Sequence, residues 1–206
     1  MTLAFTLLSN LLPLLGVLFL GWDVYTLLVY YWCETLIVAF WTVVTIACRK
    51  GKIGVRSDDP ATRTGSPYAA LLVAMHVGVF IAIHLLLMST LYGQEWPGHL
   101  DSPAVFIETF IIGQGLWPML TLTFIQRAAV FWDAGGAENL PPAVVGLYVR
   151  IAVIQVVIVL GAWGVMLLDS GLIGVVLLVA AKTMLDLHWP KVFTWIVASS
   201  AEARRR

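Results

Sequence analysis

Six ionisable side chains lie inside stretches of sequence that are apolar enough to cross a membrane. They are Glu34, His76, His84, Lys182, Asp186 and His188. A charge within the hydrocarbon core costs several kcal/mol unless it is paired or hydrated, and such residues mark ion sites, proton pathways and metal sites. We therefore expect the function of this chain to involve these side chains.

Imidazole and carboxylate groups together suit iron, zinc or copper. Counted from Trp22, where the helix is expected to enter the membrane, Glu34 lies roughly 18 Å deep, near mid-membrane, at a rise of 1.5 Å per residue. His76 and His84 are separated by about 12 Å along a helix and by about 80° around it, so one ion cannot bind both. Our leading prediction is a transition-metal site built from Glu34 and one of these histidines, with redox or hydrolytic chemistry.

A second reading of the same residues is a b-type haem held between helices. His76 and His188 fall at about the same predicted depth, so they could serve as opposed axial ligands. The haem would then supply electron-transfer or oxygen chemistry, and the two histidines would set its orientation. The sequence alone does not decide between this arrangement and a site for a bare metal ion.

Two further readings use no metal. In the first, Glu34, His84, Lys182 and Asp186 form a chain of ionisable groups for a transporter coupled to protons or another ion. In the second, the polar residues only hydrogen-bond between helices, and the chain is a structural or assembly protein of the membrane. All of these readings stay open on the sequence.

The inner ends of three predicted helices carry a second group of polar residues. Lys182 and Asp186 are four residues apart and can pair on one helical turn. Arg150 and Arg127 fall at a similar depth in neighbouring helices, so Asp186 has further cationic partners. We predict a polar network of Arg150, Lys182, Asp186 and His188 there.

The composition fixes the class of protein that must position these groups. Of 206 residues, 60% are hydrophobic and 12% are charged, whereas soluble domains are near half apolar and a quarter charged. The chain is therefore predicted to be an all-α, polytopic membrane protein whose main partner is the lipid bilayer. Nucleic acid is not expected as a partner, and homo-oligomerisation stays open. The cysteines, Cys33 and Cys48, are expected to pack as small hydrophobes.

Apolar runs of about twenty residues match the thickness of a bilayer at the rise of an α-helix. They predict six helices in one integral membrane domain spanning 1–206: 3–21, 24–48, 68–92, 104–132, 143–168 and 171–189. The fourth run contains Pro118, so we expect its helix to kink or its first turns to lie in the interface. The segment 49–67 is polar and is predicted to be a connecting loop.

Basic residues fall on alternate connections, which predicts the orientation. They lie between the second and third helices, beside the fourth-to-fifth connection and after the sixth helix: Arg49, Lys50, Lys52, Arg56, Arg63, Arg127, Arg150, Lys191, Arg204, Arg205 and Arg206. The segment from Gly93 to Pro103 has no Lys or Arg. The positive-inside rule then places both termini in the cytoplasm and the protein in the cytoplasmic, or inner, membrane.

Several reaction classes lack their motifs in this sequence. There is no Gly-x-Ser-Gly serine motif, no HExxH, no CxxC and no phosphate-binding or dinucleotide-binding glycine loop. Intramembrane serine proteolysis and the common zinc, thiol-redox and nucleotide chemistries are therefore not indicated. Whether the chain is an enzyme stays open.

Four segments carry a resemblance to a known family. They are NLLPLLGVLFLGWDVYTLLVYYWCE, HVGVF, YVRIAVIQ and KTMLDL. With them the chain resembles the bacterial and archaeal membrane proteins grouped as DUF6498. The resemblance implies that the family's polar signature falls at Glu34, His76, His84, Arg150, Lys182 and Asp186. Gln155 stands where the family pattern suggests another histidine, and His188 lies closer to Asp186 than that pattern suggests.

Overall fold

The computed structural model describes residues 16–17, 19–48, 67–133 and 140–168. Its helices are α1 (Val24–Cys48), α2 (Pro67–Tyr92), α3 (Pro103–Gly113), α4 (Trp117–Asp133) and α5 (Leu140–Leu168). A 3₁₀ turn, Gly93–Glu95, follows α2. No strand occurs among these described residues, which confirms the predicted all-helical class.

Two of the helices, α1 and α2, are long and apolar enough to cross a membrane, and α3 with α4 makes a third candidate if the pair counts as one span. α1 matches the predicted helix 24–48, and α2 begins one residue before the predicted 68–92. α5 begins three residues before its predicted start at 143. Most of the predicted first helix and all of the sixth lie outside the described residues, as does most of the predicted loop 49–67. The six-helix count therefore stays a prediction.

α1 is the central helix of the described bundle. Asp23 begins it by accepting a hydrogen bond from the Thr26 amide at 2.7 Å, which satisfies one of the amides that lack a partner at a helix start. Within the helix, the hydroxyls of Thr35, Thr42 and Thr45 donate to the carbonyls four residues earlier. Polar side chains can thus be buried along α1 without loss of hydrogen bonding.

α1 and α2 pack side by side in opposite directions. At one end the Tyr25 hydroxyl lies 2.7 Å from Ser89 Oγ. At the other end Ile46 and Ala70 belong to one buried cluster. The early part of each helix therefore meets the late part of the other, as expected for consecutive membrane helices.

α2 and α5 run in the same direction. The His76 and Tyr148 rings lie 5.6 Å apart near the beginning of the shared contact. Near its end the Tyr92 hydroxyl donates to the Ile158 carbonyl at 2.8 Å. This direction agrees with the predicted alternation, in which these are the third and fifth helices.

The outer face of α2 is apolar and exposed. Its exposed large hydrophobic residues are Tyr68, Leu71, Leu72, Met75, Val79, Phe80, Ile83, Leu86 and Leu91. Soluble monomers rarely expose large apolar patches. The outer face of α2 is the surface expected of a helix that faces lipid.

The structure divides the predicted run 104–132 into two helices, α3 and α4, so the kink expected within this run is present. The two helices meet at 97°. Gly115 lies between them at φ +69°, a left-handed conformation that favours glycine. Pro118 is not the cause of the bend, since it lies in the first turn of α4, where a proline is tolerated. The bent pair forms a broken span or a re-entrant hairpin.

Candidate functional site

The centre of the bundle holds an ion pair between α1 and α5. Arg150 Nη1 lies 3.2 Å from Glu34 Oε1, and the two side chains are 13% and 11% exposed. Glu34 is ten residues into the 25-residue helix α1, so it lies about 15 Å along that helix. A carboxylate and a guanidinium therefore meet close to the middle of an apolar bundle.

Aromatic and hydroxyl groups extend this centre toward α4. The rings of Tyr30 and Tyr31 contact each other at 5.3 Å. The Tyr30 hydroxyl hydrogen-bonds the Thr123 side chain and interacts electrostatically with the carboxylate and the guanidinium. α1, α4 and α5 thus share one polar patch, which we call the central charge site: Tyr30, Glu34, Thr123 and Arg150.

A small cavity lies further along α1, toward Cys48. It has a volume of about 40 Å³ and is lined by Trp41, Thr42, Thr45 and Arg127 among others. The buried Trp41 Nε1–H has no hydrogen-bond partner in the described part of the chain. A cavity that holds at least one water-sized sphere and carries several polar groups can contain ordered water.

His84 is the buried histidine of α2, only 4% exposed. Its Nδ1 lies 2.6 Å from the Phe80 carbonyl. A carbonyl can only accept, so Nδ1 carries the proton and Nε2 presents its lone pair. Within the described residues Nε2 is buried and has no hydrogen-bond partner. This tautomer is the one in which an imidazole acts as a ligand or a proton acceptor.

His76 has a different environment, although it lies on the same helix. It is exposed, and its ring contacts Phe80 at 5.1 Å and Tyr148 at 5.6 Å. The two histidines of α2 therefore do not share a site, in agreement with their predicted separation in depth and azimuth.

A second polar network lies at the Val24 end of α1, the end predicted to face outward, and no pattern in the sequence predicted it. The Tyr25 hydroxyl lies 2.7 Å from Ser89 Oγ and 2.6 Å from His99 Nε2. His99 Nδ1–H donates to the Trp96 carbonyl, which leaves Nε2 to accept from Tyr25. All three side chains of this outer network, Tyr25, Ser89 and His99, are buried.

Two indoles hold the surrounding segment against α1. Trp96 Nε1–H donates to Asp23 Oδ2 at 2.8 Å, and Trp22 Nε1–H donates to the Gln114 carbonyl at 2.9 Å. The first pair of residues is 73 positions apart in the sequence, and the second pair is 92 positions apart. No local spacing in the sequence could therefore reveal these contacts.

A model described as "Family of unknown function (DUF6498)" matches residues 1–206. The chain belongs to this family. No curated protein and no solved structure matches it. The match confirms the resemblance noted from the sequence.

The described residues of this DUF6498 protein contain no group of three or more His, Cys, Asp or Glu side chains placed to hold a metal ion. Lys182, Asp186 and His188 lie outside the described residues. The metal set of Glu34, His76 and His84, the haem ligands His76 and His188, and the inner polar network therefore stay predictions.

The structure brings together Glu34 and Arg150, two of the residues that the sequence predicts to be functional. The sequence predicts Asp186 as a carboxylate partner of Arg150, and Asp186 lies outside the described part. A buried carboxyl can take up and release a proton, whereas a guanidinium stays charged at any accessible pH. The central charge site can therefore change its net charge by one proton.

Proposed function

We propose that this DUF6498 protein is a six-helix integral protein of the cytoplasmic membrane, with both termini in the cytoplasm, that couples proton uptake at Glu34 to the movement of a small anion. The basic connections support the orientation. The directions of α1, α2 and α5 are those that this topology requires.

The ion pair between Glu34 and Arg150 is the observation that carries the proposal. A buried ion pair is weak evidence for stability, because desolvation of the two ions often exceeds their attraction. Ionisable residues inside membrane helices are costly and mark ion and proton pathways. We infer that this chain retains the pair for its charge rather than for its contribution to folding.

The proposed step conserves charge. The Glu34 carboxylate takes up one proton and becomes neutral, which removes one negative charge from beside Arg150. The guanidinium keeps its proton and so attracts a small monovalent anion more strongly than before. Proton and anion then cross as a neutral pair, and release of both restores the carboxylate to its place beside Arg150.

The cavity lined by Trp41, Thr42 and Thr45 supports a path between this centre and the Cys48 end of α1. Its hydroxyl and indole groups can hold water near the charge site, and Arg127 at its edge favours the presence of an anion. Under the proposed orientation, this path faces the cytoplasm.

The test uses purified protein in liposomes that contain a pH-sensitive dye. An inward proton gradient is imposed with chloride or nitrate outside, and with gluconate as a bulky reference. We expect at least one small anion to accelerate proton entry over gluconate and Arg150→Met to remove that acceleration. Equal rates in all anions, or full acceleration in Arg150→Met, would contradict the proposal.

A transition-metal site is the second candidate, and His84 is the observation that favours it. Its Nδ1–H is fixed by the Phe80 carbonyl and its Nε2 lone pair is buried, the arrangement usual for a metal-bound histidine. We expect near-stoichiometric iron, zinc or copper in protein purified without chelators, and its loss in His84→Ala. Equal metal content in the two proteins would rule out His84 as a ligand, and a Soret band would identify haem.

A further inference from the structure

An apolar groove opens between α1, α2 and the segment that leads into α3. Its volume is about 440 Å³, and its walls include Trp32, Cys33, Leu36, Leu85, Phe106 and Ile107. Cavities of about 300 to 1,000 Å³ are the size that binds small organic molecules. The groove is therefore large enough for a ligand.

The polar groups of the groove are already engaged. The Trp32 Nε1–H donates to the Ile81 carbonyl at 2.9 Å. Ser102 Oγ accepts from the Val105 amide at 3.2 Å as the N-cap of α3. A polar ligand would find few partners here, and apolar cavities do not hold water well. The chemistry of the walls favours a hydrocarbon chain.

The groove is continuous with the exposed apolar surface of the bundle. Leu36, Leu100 and Ile107 line it and are 38%, 40% and 48% exposed. In a bilayer this opening faces acyl chains, so a lipid chain can enter sideways without passing through water. This step depends on the membrane location given under the proposed function.

The charges beside the opening indicate which headgroup accompanies the chain. Asp101 and Glu108 are exposed and adjoin wall residues, and the sequence from Gly93 to Leu116 contains no Lys or Arg. Carboxylates attract an ammonium group and repel an additional anionic headgroup. We propose that the groove binds one acyl chain of an amine-headed phospholipid of the phosphatidylethanolamine class.

Native mass spectrometry of delipidated protein tests the proposal. The protein is offered equimolar phosphatidylethanolamine and phosphatidylglycerol with identical acyl chains. We expect one retained phosphatidylethanolamine in wild type and about tenfold less in Ile107→Trp, whose indole fills the groove, a change of about 1.4 kcal/mol. Ile112→Trp is the matched control, because Ile112 is exposed on α3 and does not line the groove.

Neutralising the charges tests the headgroup separately. The double substitution Asp101→Asn and Glu108→Gln is expected to lower the preference for phosphatidylethanolamine by about threefold, because each exposed charge interacts only weakly with a hydrated headgroup. Equal lipid retention in Ile107→Trp and Ile112→Trp would overturn the proposal. Preference for phosphatidylglycerol would also overturn it. A protein dimer that dissociates in Ile107→Trp but not in Ile112→Trp would overturn it as well, because the groove would then be an interface between two copies of the chain.

Glu34→Gln should bind the lipid as wild type does, so failure of lipid binding and failure of proton coupling are distinguishable.

Discussion

Glu34 and Arg150 are unequal partners, because only the carboxyl can become neutral. When Arg150 is lost, Glu34 can reduce its desolvation cost by taking up a proton. When Glu34 is lost, the guanidinium stays charged among apolar helices. This asymmetry is a property of the two side chains and leads directly to a stability prediction.

Glu34→Met is expected to lower the free energy of unfolding by about 3–5 kcal/mol, the usual effect of removing one partner from a buried ion pair. Arg150→Met should lower it less, and the double substitution should restore most of the loss. Unfolding of detergent-solubilised protein, followed by helical circular dichroism, measures all three. Equal and additive losses would show that the two groups are not coupled.

The outer network gives a second prediction for a single side chain. Tyr25→Phe removes the hydroxyl that contacts both Ser89 and His99. We expect a loss of about 1–3 kcal/mol, because two buried groups lose a partner at once. Tyr68→Phe is the control, since Tyr68 is 71% exposed and its hydroxyl should matter little. A Tyr25→Phe protein as stable as Tyr68→Phe would contradict this account.

The burial of Glu34 and His84 could be predicted from the sequence, because both lie well inside long apolar runs. The burial of His99 could not. It follows from the way the segment after α2 folds back on α1, and that fold depends on hydrogen bonds between residues far apart in the chain. A histidine in a short loop has no periodic pattern that would indicate its environment.

At the level of elements, α1 and α2 followed closely from the length of their apolar runs. A kink was also expected in the run 104–132, but at Pro118, whereas the break falls at Gly113–Leu116, where the polar Gln114 lies between two glycines. The backbone there turns at Gly115 with φ +69°. Glycine residues within apolar runs are common in membrane helices, so their presence alone does not indicate a turn.

Gly115→Ala tests the bend. No atom lies within 4 Å of the position a Cβ would take, so the expected loss of about 1–2 kcal/mol comes from the left-handed backbone alone. Gly78→Ala is the matched control: it also has open space but lies inside α2, where alanine should stabilise the helix by about 0.5–1 kcal/mol. Thermal unfolding of both variants gives the comparison, and a stabilising Gly115→Ala would contradict the observed bend.

For the whole molecule, the sequence predicts the orientation and the structure supplies the packing. Charge asymmetry between connections is a long-range property that no single helix contains, and it can be read without coordinates. The pairing of α1 with α5 requires the fold, since Glu34 and Arg150 are over one hundred residues apart. The predicted positions of the helices in the sequence do not indicate which helix faces contact each other.

The native cysteines test the orientation. On a Cys33→Ala background, Cys48 marks the end of α1 that is predicted to be cytoplasmic. A membrane-impermeant maleimide should label it in inverted vesicles of a bacterial host and leave it unlabelled in intact spheroplasts. Labelling in intact spheroplasts would reverse the proposed topology and, with it, the side on which the Trp41 cavity opens.

The central claim is that Glu34 carries the coupled proton. Its most direct test is the rate at which an imposed pH gradient collapses in liposomes that contain wild type or Glu34→Gln. Glu95→Gln is the control, because it changes an exposed carboxyl after α2. Our account predicts collapse with wild type and Glu95→Gln, and a rate no faster than that of empty liposomes with folded Glu34→Gln. Collapse at the wild-type rate in Glu34→Gln would contradict it.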